Sequence, residues 1–137
     1  MPNASPTLDP FRYVVETEKS VDRAQADLTR AAQERKFGVL HAYDFKQTLA
    51  DKGLSLEPEV RVLELCSPSH AERVLKARVD MNLGLPCRIS IWQEGGRTRI
   101  GMLRPKAVLG MLARAPALDA VADEVERAMV AMIYAAR

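Results

Sequence analysis

The sequence is short of the residues that usually advertise chemistry. Its 137 residues include two cysteines, two histidines and one tryptophan, and aromatics make up 5%. Two cysteines are too few for a disulfide scaffold, so the chain reads as cytoplasmic with both thiols reduced. Charge of neither sign dominates. Twenty basic against 18 acidic residues leave a net +2, which gives no footprint for nucleic acid or a membrane surface. No apolar run nears the roughly 20 residues that cross a bilayer. Met1-Pro2-Asn3-Ala4-Ser5-Pro6 lacks the basic start and apolar stretch of a signal peptide. There is no P-loop, Rossmann glycine pattern, G-x-S-x-G or H-E-x-x-H, so no cofactor is implied.

What is there is an ordinary globular composition, 47% hydrophobic and 28% charged. Residues 1–9 are polar and proline-rich and read as a loose tail. Residues 10–137 suit one domain with a single core. Phe11, Tyr13 and Val15 alternate with Arg12, Val14 and Glu16, which predicts a strand. Ser20 is then placed to cap a helix with the stripe Val21, Ala24, Leu28 and Ala31, ended by Arg35-Lys36 and Gly38. Phe37–Tyr43 predicts a second strand, and Asp44 with Gln47 resembles a capping box for a short helix.

Val60–Leu65 predicts a third strand. Its apolar residues switch parity between Val62 and Leu63, which fits either a bulge or burial on both faces. Ser67 is placed to cap a helix with Pro68 at its first position and a buried stripe of Ala71, Val74, Leu75 and Val79. Gly95-Gly96 is a two-residue hairpin turn. Its register sets Ile91 opposite Ile100, Ile89 opposite Met102 and Cys87 opposite Arg104 on one side of the sheet, with Trp92 opposite Arg99 on the other. A short helix starts at Pro105. A long one spans about Leu118–Ala136, with Leu118, Val121, Ala122, Val125, Met129, Met132 and Ile133 on one face. Strands and helices do not alternate strictly. The expected class is therefore α+β: a mostly antiparallel, curved sheet of about five strands, with helices on one face and a long C-terminal helix.

Several segments in order, Phe37-Gly38-Val39-Leu40 with Asp44, Cys66-Ser67-Pro68 with Ala71, Leu85-Pro86-Cys87, Gly95-Gly96 and Pro105, resemble the domain of unknown function 302 family over about Phe11–Pro105. Ser67 stands where that family usually has asparagine. The resemblance implies a compact fold similar to the TATA-binding-protein-like architecture, often dimeric, and implies no established reaction.

The candidate chemistry rests on the two cysteines. If the strands flanking the Pro68 helix run antiparallel, as the resemblance favours, Cys66 ends one where Cys87 begins the next. A helix N-terminus after Cys66 and Arg104 opposite Cys87 would each favour a thiolate. The pair thus offers a redox, persulfide-carrying or metal-binding site. Equally, free cysteine is among the most buried residue types and serves as a small apolar filler. Cys66, Cys87, His41 and His70 could in principle hold zinc, but their spacing matches no known ligand pattern, and His70 reads as a solvent-facing residue of a first helical turn. No metal is expected. Among the carboxylates Glu16, Glu18, Asp44 and Glu64, Asp44 is a cap, and Glu64 alone is placed for burial within a strand. Trp92, Arg99 and Arg88 form the surface cluster best suited to a dimer interface.

The expected function is a small homodimeric ligand- or partner-binding domain. Its pocket is expected between the sheet and the long helix, edged by Cys66, Pro68, Pro86, Cys87 and Arg104. The alternative is a thiol-dependent redox or sulfur-transfer enzyme using Cys66 with Cys87 as its helper.

Overall fold

A computed structural model gives the fold of residues 9–137. Of the expected loose tail, residues 1–8 lie outside the described residues. Asp9 lies within them, and its Oδ1 accepts from the backbone N–H groups of Phe11 and Arg12 at 2.8 and 2.9 Å. The elements are β1 (Arg12–Thr17), α1 (Val21–Glu34), β2 (Gly38–Asp44), α2 (Phe45–Asp51), β3 (Val60–Cys66), α3 (Pro68–Ala77), a 3-10 helix (Val79–Gly84), β4 (Cys87–Glu94), β5 (Arg97–Leu103), α4 (Pro105–Leu112) and α5 (Pro116–Ala136). The strands form one five-stranded antiparallel sheet in the order β1-β5-β4-β3-β2. The α+β class, the strand number and the long last helix are those expected.

Local signals explain most of the boundaries. Ser20 Oγ accepts from Arg23 N at 3.1 Å and starts α1. That helix ends two residues earlier than its glycine, Gly38, suggested. Lys36 itself takes the left-handed conformation at φ 62°, and Lys36 and Phe37 donate back to Gln33 and Ala32. This is a Schellman closure with buried Phe37 as its apolar contact. Asp44 Oδ1 caps α2 through Gln47 N at 3.0 Å, but the Gln47 side chain turns to Asp51 rather than back to the cap. Only half of the predicted capping box forms.

Gly95 and Gly96 both have positive φ, 61° and 77°, as a tight hairpin turn requires. The register that follows includes Ile91↔Ile100 and Trp92↔Arg99, as expected. The ladder then stops at Ser90↔Gly101. Beyond that point β5 stays with β1, pairing Tyr13↔Met102 and Arg12↔Leu103, while β4 stays with β3. The two strands of the hairpin part. Ile89 and Met102 are both buried in the core but are no longer ladder partners, and Arg104 is no strand residue. Pro105 begins α4, which makes Arg104 its N-cap.

The parity switch in β3 has a plain cause. Leu63 and Leu65 face the helices, while Val60 and Val62 are half-buried on the opposite face. Arg61 shares the helix side, and its guanidinium reaches Gln25 and Asp22 of α1. The bulge lies instead in β2, between Val39 and His41.

The core is the helix-facing side of the sheet, including Tyr13, Val15, Leu63, Leu65, Ile89, Ile91, Ile100 and Met102, packed on Leu28 of α1 and Met129, Met132 and Ile133 of α5. Fully burying each such side chain is worth about 1.5–3 kcal/mol. The whole predicted stripe of α5 is buried. That of α3 is shorter. Arg78 leaves the helix at φ −154°, so Val79 falls in the 3-10 helix and is 73% exposed. At the far side of the core Asp27 of α1 gathers Lys19, Arg23 and Arg30. Lys19 Nζ also donates to the carbonyl of Ala136 at the end of α5, at 2.9 Å. The Lys19 hydrogen bond, ahead of the nearby positive charges, holds the Asp27 carboxyl down at about 2.

Candidate functional site

Both cysteines are free thiols at the same end of the sheet, as the antiparallel arrangement demands. Register separates them by face. Cys87 lies opposite Leu65 and continues the inward row of Ile89 and Ile91. Cys66 lies opposite Gly38 and continues the outward row of Val62 and Glu64. Strand side chains alternate, so neighbours one residue out of phase point to opposite sides. Burial, with a smaller contribution from Cys66, pushes the Cys87 thiol up to about 11. That is the reverse of what a nucleophilic thiol needs at neutral pH.

The cation expected beside Cys87 is engaged elsewhere. Arg104 donates from Nε to the carbonyl of Asp9 at 2.8 Å and from Nη1 to Glu126 at 3.2 Å, and its guanidinium lies over the Tyr13 ring at 5.6 Å. It ties α5 and the entry to β1 together at the start of α4.

A cleft of about 390 Å³ opens where β4 and β5 part. Its floor includes Val62, Ser90, Met102 and Leu103; the Leu83–Cys87 segment forms one wall, and Pro105, Val108 and Leu109 the other. The Leu85–Pro86 peptide bond, which is cis, lies in that first wall. Close packing holds the walls together. A Cβ on Gly84 would come within 3.0 and 3.1 Å of the Leu109 and Leu112 side chains. The lining is apolar except for Ser90, the Cys87 thiol and Arg88. Of the five residues predicted to edge a pocket, Pro86 and Cys87 line this one. Cys66, Pro68 and Arg104 do not, and the cleft abuts α4 rather than the long helix. Val62, Ser90, Leu103 and Val108 carried no sequence signal for it. A smaller cleft of about 210 Å³ runs between α4 and α5, past Leu109, Gly110 and Leu118.

Ser67 occupies the N-cap position of α3, but its hydroxyl makes no capping bond. It lies 2.7 Å from Nδ1 of His70, whose Nε2 lies 3.2 Å from Glu124 of α5. Arg73 adds a bidentate pair to the same carboxylate, and the His70 ring stacks on Phe37 at 6.0 Å. His70 is therefore a cross-brace between α3 and α5, not the solvent-facing residue expected. Ser67 is buried, so this chain of contacts positions a helix. His41 sits apart on β2, edge-on to Tyr43 at 4.3 Å. Among the described residues no group of three His, Cys, Asp or Glu side chains converges.

Trp92, Arg99 and Arg88 all lie on the sheet face turned away from α1, α3 and α5. The edge of the Trp92 indole reaches over Gly101, and its Nε1 donates to Glu94 at 3.0 Å. Arg99 pairs with Glu16 at 3.0 Å across β5 and β1. Arg88 lies 3.8 Å from Glu64, which also accepts from the Tyr43 hydroxyl at 3.2 Å. Of the remaining carboxylates, Glu18 is exposed.

Comparison with known proteins agrees with this fold. The family model "Domain of unknown function DUF302" matches residues 13–136, which takes in α4 and α5 as well as the sheet. No curated protein matches. Among solved structures, the crystal structure of an uncharacterized conserved protein DUF302 from Bacillus stearothermophilus is similar at a TM-score of 0.87 and 31% identity, covering 93% of this chain and 98% of that one.

Proposed function

This chain belongs to the DUF302 family of domains of unknown function, and on that premise we propose that it is a cytoplasmic, homodimeric ligand- or partner-binding domain whose binding edge is Leu85-Pro86-Cys87. The observation that carries this reading is the cleft of about 390 Å³ at that segment. It is of the size small-molecule sites have, concave and mostly apolar, with few polar groups. Leu83 and Leu103, which line it, are 77% and 62% exposed, a cost in water that an occupant would relieve. Two free thiols fit a reducing compartment. The dimer would form through the outer sheet face centred on Trp92 and Arg99, where an aromatic and an arginine sit together, with Arg88 at its rim beside the cleft and open to solvent.

The competing thiol-dependent reading finds less support. The two sulfurs lie on opposite faces, and burial holds the Cys87 proton on.

Amide spectra recorded with a library of small apolar fragments test the binding role. Shifts are expected to cluster in residues 83–90 and 102–109. A library that moves no amide there at millimolar concentration removes the reading. For the dimer, light scattering should give twice the chain mass, falling to one chain for Trp92→Ala. A monomeric native protein, or an unchanged dimer in the variant, refutes that interface.

A further inference from the structure

We infer that the cleft takes a monoanionic amphiphile: an apolar body of medium-chain length with a single carboxylate-type head held at Arg88. This rests on the binding role proposed above and specifies its ligand class.

The body follows from the lining. Val62, Leu85, Met102, Leu103 and Val108 present hydrocarbon, and a volume of about 390 Å³ is some thirteen water volumes at ~30 Å³ each. An eight-carbon chain with its head group fits that space.

The head follows from charge. Arg88 is the one ionic side chain in the lining, which holds no carboxylate. It stands at the mouth, with 66% of its side chain exposed. Arg88 and Ser90 are two apart on one strand and share a face. The carboxylate nearest Arg88 is Glu64, its cross-strand partner. Their closest approach, Nε to Oε2, is 3.8 Å, beyond hydrogen-bond length, and Glu64 is shared with Tyr43. A guanidinium has five N–H donors in a planar fork that matches a carboxylate. An incoming anion can therefore be received without first breaking a formed hydrogen bond. Glu64 opposes that anion by like-charge repulsion, so the preference for a negative head is moderate.

Octanoate, 1-octanol and octylammonium, titrated into the intact protein and followed by amide shifts, separate the possibilities. Octanoate is expected to shift residues 83–90 and 102–109 and to bind about tenfold tighter than 1-octanol, as one charge-assisted contact at a wet mouth allows. Octylammonium should bind more weakly than either. Arg88→Gln should bring octanoate down to the level of 1-octanol, and Arg88→Lys should restore part of the difference. Equal binding of octanoate and 1-octanol, preference for the ammonium, or an octanoate preference that survives Arg88→Gln overturns this inference and leaves the binding role standing. Absence of cleft shifts with all three overturns both.

Discussion

Gly101 offers the sharpest quantitative test of the fold. It sits in the middle of β5, opposite Val14 on one side and Ser90 on the other, and it is buried. A Cβ added there would lie 2.7 Å from Val14 Cγ2, 3.1 Å from the Tyr13 carbonyl oxygen and 3.2 Å from Trp92 Cη2. The first distance is shorter than real carbon contacts, and the second involves backbone held in the β1–β5 ladder. Gly101→Ala should therefore cost about 1–3 kcal/mol in overpacking. Reduced freedom of the unfolded chain returns about 0.5–1 kcal/mol. The net expectation is a loss of roughly 0–2.5 kcal/mol, centred above 1. Urea unfolding followed by the fluorescence of Trp92, the single tryptophan, measures it, with the slope unchanged if only stability moves. The cause is isolated by a cycle with Val14→Ala, which deletes the nearest methyl. In that background the Gly101→Ala loss should shrink by about 1 kcal/mol. A loss of the same size in both backgrounds, or a net gain from Gly101→Ala alone, refutes the reasoning.

Two further outcomes follow from titrating groups. With Cys66→Ser removing the other thiol and its smaller share of the shift, burial alone should still leave alkylation of Cys87 up to about a hundredfold slower at pH 7 than for an unperturbed thiol, and its rate should go on climbing above pH 9; a plateau near pH 9 refutes the assignment. Asp27, held at about 2 against the ordinary aspartate value of 3.8, binds fewer protons folded than unfolded. Its stabilisation is full above pH 4 and is lost as pH falls from there toward 2. Asp27→Asn should lower the urea midpoint at neutral pH and flatten its acid limb; an unchanged acid slope would show that other carboxylates govern it.

Much of the architecture was legible because it rests on local rules. A Gly-Gly turn fixes which residues of its two strands meet, and seven apolar residues at helical spacing place one face of α5 in the core. What escaped depends on distant partners. The faces of Cys66 and Cys87 are set by β3 pairing with β4 across a connection of some twenty residues, whose helix and 3-10 turn hide the register. Arg104 left the strand because Pro105 makes it a cap, a signal present in the sequence but outweighed by extending the hairpin ladder too far. Ser67 reads as a cap by type, yet the His70 ring competes for its hydroxyl, and that ring is held by Glu124 from α5, 54 positions away. The cleft exists because two hairpin strands part after Gly101, and no local pattern marks where a ladder ends.

The position of β1 bears on how this protein is made. Its one neighbour in the sheet is β5, through pairs such as Arg12↔Leu103, and α1 behind it packs on α5, with Lys19 reaching Ala136. A chain still on the ribosome can form the β2–β3–β4 pairings early, but β1 waits for β5, and the apolar faces of α1 and the sheet wait longer, for α5. Until that helix emerges, residues such as Leu28 and Ile89 have only part of their cover, because α1 meets β4 but its face toward α5 stays open. The step that brings out α5 is thus also the step that closes the core, and a chain arrested or cut before it would be a client for chaperones rather than a half-working domain.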